Sequence, residues 1–141
     1  MLDDCKRHLN ADELVVSIKR PAKSSPWNVR ALGVALLRDG FAGYYVSVFY
    51  GRIRGLAEAE RVRPGLILGY AMAHEIGHLL LKSTAHSGLG LMRNGWDDES
   101  RQRAEQGRLY LLTDQAKRAR EEAAIRAASA NTLRQQDRAE N

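Results

Sequence analysis

Cysteine is nearly absent: Cys5 alone in 141 residues rules out an internal disulfide and stands in no metal-ligand spacing. Aromatic residues make up 6% of the chain, and no dense basic stripe is interleaved with them, so a nucleic-acid surface is not expected. Long apolar runs are missing too. The longest, Leu66 to Leu81, is interrupted by His74, Glu75 and His78 and is too short to predict a membrane span. The first residues (MLDDCKRHLN) hold two acids and no apolar stretch of signal-peptide length; as written, this predicts a cytoplasmic chain, whereas a start codon placed too late would allow secretion. No internal repeat is found. Only three prolines occur, so their positions are informative: Pro21 and Pro26 mark a connector (PAKSSPW), and Pro64 suits the first position of a helix.

What is present is an ordinary globular composition, 44% hydrophobic and 28% charged, of a length that suits one domain with a modest core. We expect a single domain over residues 1–130 and a polar, frayed tail over 131–141. The net charge of +5 is spread unevenly, with 2 basic and 4 acidic residues in the segment 64–100. That local excess of acid favours a cation.

Leu14 to Ile18 reads as a short strand from its β-branched content. Arg30 to Leu37, the turn signal Arg38-Asp39-Gly40 and Tyr44 to Tyr50 read as an antiparallel hairpin. Gly51 to Val62 reads as a surface helix with Ile53, Leu56 and Ala57 on one face. From Pro64 a helix apolar nearly all round runs to about Lys82, which predicts burial. Gly69 and Gly77 weaken this helix by about 1 kcal/mol each, so close packing against a neighbour is the expected compensation. Asp97-Asp98-Glu99 offers an N-cap and negative charge for a helix to about Gln106, Gly107 stops it, and Thr113-Asp114 caps another helix to about Ala130. The expected fold is α+β: a small twisted sheet of about three strands on a buried helix, with further C-terminal helices.

The buried helix carries His74-Glu75-Ile76-Gly77-His78. Residues four apart share a helix face, so His74 and His78 aim two imidazoles at one point. Glu75 lies about 100° round the helix, positioned to reach a water on a metal rather than to join the same-face pair. Catalytic zinc takes three protein ligands and keeps a place for water, and His86 is the candidate third ligand, across Lys82-Ser83-Thr84-Ala85. Three of the four histidines fall within thirteen residues. Met92 follows in GLGLM, where Gly88 and Gly90 permit a tight turn.

This order of parts resembles the metzincin metallopeptidases, with their HExxHxxGxxH motif and Met-turn, and within them a group of small bacterial metzincin-like proteins. The departure is that the motif's glycine and third histidine would fall on Leu81 and Thr84; here the turn is two residues longer. The resemblance implies zinc on His74, His78 and His86, Glu75 as general base, Met92 in a Met-turn, and a peptide substrate held extended against an edge strand, for which Tyr44 to Tyr50 is the candidate. Arg93 and Tyr110 are the candidates to stabilise the oxyanion. Three alternatives stay open. Asp97, Asp98 or Glu99 replaces His86 as third ligand, as in gluzincins and aspzincins; the chain is a cytoplasmic peptidase that cleaves a repressor; or the metal is structural and the C-terminal helix serves an interaction module.

Overall fold

The computed structural model describes residues 9–20, 30–38 and 41–139. The connector at Pro21 to Trp27, Cys5 and the turn residues Asp39 and Gly40 lie outside these residues. Three strands, β1 (Val15–Lys19), β2 (Gly33–Arg38) and β3 (Phe41–Phe49), and four helices, α1 (Tyr50–Glu60), α2 (Pro64–Leu81), α3 (Asp98–Glu105) and α4 (Thr113–Ala139), make an α+β fold. The sheet order is β1-β3-β2. β3 pairs with β1 in parallel, Val15 opposite Tyr45, and with β2 antiparallel, Ala35 opposite Val46. The hairpin forms as expected. The strand that carries Tyr44 to Phe49, however, is central and not an edge: β1 inserts on its far side, and β2 is the strand that borders the cleft described below.

Alternation along β3 turns Val46 and Val48 inward, where they meet Ile53 and Ala57 of α1 and Ile67, Ala71 and Leu79 of α2 in the main core. This burial is what holds α2 against the sheet, since each buried aliphatic side chain contributes about 1.5–3 kcal/mol. Pro64 occupies the first turn of α2, and Lys82 ends it in a left-handed conformation, φ 50. There the Lys82 and Ser83 amides return to the Leu79 and His78 carbonyls, a Schellman-type end that satisfies the last carbonyls and turns the chain back. Of the two α2 glycines expected to pack closely, Gly77 does and Gly69 faces open space.

α4 packs on α2 and is tied to it by charge. Glu122 and Arg126 are both buried; Glu122 pairs with Lys82 at 2.8 Å and with Arg126 at 3.0 Å, and Arg126 reaches the Gly43 carbonyl on β3. Arg118 donates to the Leu81 carbonyl. The helix continues past Asn131 to Ala139, with Ala130 fully buried and Arg134 paired to Asp12.

Candidate metal centre

His74 and His78 sit one turn apart on α2 and are both buried. His74 Nδ1 bonds the Leu91 carbonyl at 2.8 Å and His78 Nδ1 bonds the Ser83 carbonyl at 2.7 Å. A carbonyl only accepts, so each Nδ1 carries the hydrogen and each Nε2 keeps a bare lone pair. Those two Nε2 atoms face each other at 3.1 Å. Burial resists placing a proton between them. It drives His74 down to about 4, against the raising effect of the Leu91 bond, and lowers His78 as well. Two lone pairs converging in a buried place call for a cation.

His86 completes the set. After the left-handed turn at Lys82, the Ser83 hydroxyl accepts from the Ala85 amide, and the loop brings the His86 ring to centroid distances of 5.2 Å from His74 and 4.9 Å from His78. One ligand atom from each of the three rings lies within 4.8 Å of the others, with His86 exposed and the other two buried. The buried pair supplies a fixed base and the exposed ring leaves the centre open towards the cleft.

The loop under the site is held from several sides. Met92 is wholly buried, and a side chain at Gly77 would strike its sulfur, so the glycine inside the histidine motif makes room for Met92. Gly90 adopts φ +76, and a Cβ there would come within 2.7 Å of the Tyr110 carbonyl, which accepts from the Leu91 amide. Tyr70, one turn before His74, donates to the Arg93 and Gly95 carbonyls at 3.3 and 3.2 Å and stacks edgewise on Trp96. Its hydroxyl is pushed up to about 12, chiefly by burial with the Glu75 charge adding to it. Sequence reasoning missed Tyr70, although its spacing of four before His74 puts it on the same helix face.

Glu75 is buried against β2. Burial raises its carboxyl to about 7, while a hydrogen bond from the Ala35 amide pulls the other way. Gly33 lies directly over it: a Cβ there would be 2.7 Å from Glu75 Cγ. Neither Gly33 nor Ala35 was picked out from the sequence; an isolated glycine within a strand is the available signal, since it marks close approach by another group.

A cleft of about 860 Å³ runs between β2 and α2, bordered by Gly33, Ala35, His74, Glu75, His78 and His86, with Arg30, Arg52 and Trp96 also in its wall. Arg93 and Tyr110 do not line it. Arg93 instead pairs with Asp97 at 2.7 Å and Glu99 at 2.6 Å, and the Tyr110 side chain is exposed. The acids considered as substitute ligands are used elsewhere: Asp97 caps α3 through the Ser100 amide, Asp98 faces Arg101, and Glu99 is shared by Arg93 and Arg103. None of the three joins the histidines.

Fold and site together define a small α+β protein whose central helix and following loop gather three histidines able to hold a metal ion. No family model, curated protein or solved structure matches the chain.

Proposed function

We propose that the chain is a zinc-dependent metallopeptidase that hydrolyses extended peptides, with His74, His78 and His86 as ligands. The carrying observation is the pair of Nε2 atoms facing at 3.1 Å beside a third imidazole and a buried carboxyl group. Neutral imidazole donors suit zinc. A zinc ion held there supplies Lewis acidity towards water and a scissile carbonyl. Glu75 accepts the proton from the attacking water and passes it to the leaving amine, the two halves of general acid–base catalysis. Its position one residue after His74 keeps it beside the metal without spending it as a ligand. The peptide lies along β2, whose outer side is paired with no strand among the described residues, and main-chain bonding to an edge binds extended chains with little regard for sequence.

A second reading has one observation in its favour. No residue is evident in the sequence to stabilise an oxyanion, and the two candidates named for it, Arg93 and Tyr110, are outside the cleft, as suits a metal-binding interaction module without catalysis. One experiment separates the two: elemental analysis and a peptide-library cleavage assay on the wild type and Glu75→Gln. The peptidase reading expects one metal per chain in both and cleavage only in the wild type. Metal in both with cleavage in neither favours the module; equal cleavage by both refutes the role of Glu75.

A further inference from the structure

We propose that strand β2 positions the Glu75 carboxylate, Gly33 by withholding a side chain and Ala35 by donating its backbone N–H; both are then positioning residues for the reaction, a claim that rests on the metallopeptidase reading. Gly33 opens β2 and has no positive φ that would require glycine. What it provides is room. A Cβ at 33 would lie 2.7 Å from Glu75 Cγ, 3.2 Å from Cδ and 2.9 Å from the Ser47 carbonyl oxygen. The Ser47 carbonyl belongs to the central strand and cannot retreat, so a side chain here displaces Glu75.

The Ala35 amide is independent of that argument. The Phe49 amide bonds the Leu32 carbonyl, so with strand alternation and the continuous register from Gly33 to Leu36, Leu32, Val34 and Leu36 turn their backbone groups towards β3 while Gly33 and Ala35 turn theirs away. The sheet has no use for the Ala35 N–H, which lies near enough to the Glu75 carboxyl group to favour its charged form against burial. One contact fixes where the carboxylate lies and the other fixes how it is turned. Such control matters because a misplacement of about 1 Å at a reacting group can lower rate on the order of 100-fold.

The test uses the full zinc-loaded chain as wild type, as Gly33→Ala, and with Ala35 replaced by its α-hydroxy-acid analogue, which swaps the amide N–H for an ester oxygen. Each is also made in a Glu75→Gln background. Zinc content, acetohydroxamate affinity (its proton needs a carboxylate acceptor) and kcat and KM on a peptide library are measured. We expect full zinc in all, acetohydroxamate binding weakened on the order of tenfold by either change, and kcat lowered on the order of 100-fold at constant KM. Neither change adds to the loss in the Glu75→Gln background. Unchanged binding and kcat, or an equal further loss with Glu75→Gln, overturns the proposal. If Gly33→Ala does not fold, the ester variant decides alone. If the wild type cleaves nothing, the hydrolytic reading fails, and the acetohydroxamate cycle still supports or overturns positioning.

Discussion

Metal binding at this centre should expel a proton from Glu75, and the number expelled should depend on pH in a way set by burial. Without metal, the Glu75 carboxyl titrates near 7, so it is about nine-tenths protonated at pH 6 and about one-tenth at pH 8. His74, lowered to about 4, carries almost no proton at either pH. A dication within about 8 Å, at an effective dielectric of about 20, favours the carboxylate by about 4 kcal/mol, equivalent to about three pH units. That is enough to carry Glu75 well below 6. The difference in protons released by wild type and Glu75→Gln is therefore expected to be about 0.9 at pH 6, falling to about 0.1 at pH 8. Calorimetric zinc titrations in two buffers of different ionisation enthalpy measure it, and the subtraction cancels whatever the histidines release. Equal release by the two proteins at pH 6, or a difference that does not shrink towards pH 8, would refute the placement of a buried carboxyl group beside the ion.

Three further outcomes follow from packing and ligation. Gly77→Ala should destabilise by up to about 2 kcal/mol, because overpacking against Met92 at about 1–3 kcal/mol outweighs the gain in helix propensity; Gly69→Ala, with nothing within 4 Å of its Cβ, should stabilise by about 1 kcal/mol. Urea midpoints that move in the same direction for both would contradict the contact. Glu122→Ala leaves buried Arg126 without its acidic partner and should cost about 3–5 kcal/mol in chemical denaturation; a loss under about 1 kcal/mol would show that the cluster is replaced by solvent. His86→Ala should lose stoichiometric zinc while Glu99→Ala keeps it, and the reverse result in elemental analysis would restore the acidic-ligand alternative.

The parts of this molecule legible in sequence are those governed by local period. Histidines four apart meet on one helix face whatever surrounds them, and Tyr44 to Phe49 alternates visibly. Helix ends at Pro64, Lys82 and Asp97 follow the local capping and turn rules. Strand order was not legible, because nothing in Leu14 to Ile18 says that it pairs beside β3 and leaves β2 at the rim; that is a long-range pairing. Gly33 and Ala35 contribute an empty volume and a backbone amide, which no side-chain pattern reports. Glu122 and Arg126 read as ordinary solvated helix charges and are buried only by the sheet and α2. The end of α4 is likewise set at a distance, by burial of Ala130 and the Arg134–Asp12 pair.

The bare flank of a sheet is also a hazard, because unpaired amides and carbonyls invite a second molecule to join. On β2 the invitation is broken at its middle: one rung is already taken by an internal acid, and the residue two before it has no side chain with which a stranger could pack. A short extended chain held only at the flanks would be tolerated there, while a long intermolecular ribbon would meet a missing rung at its centre.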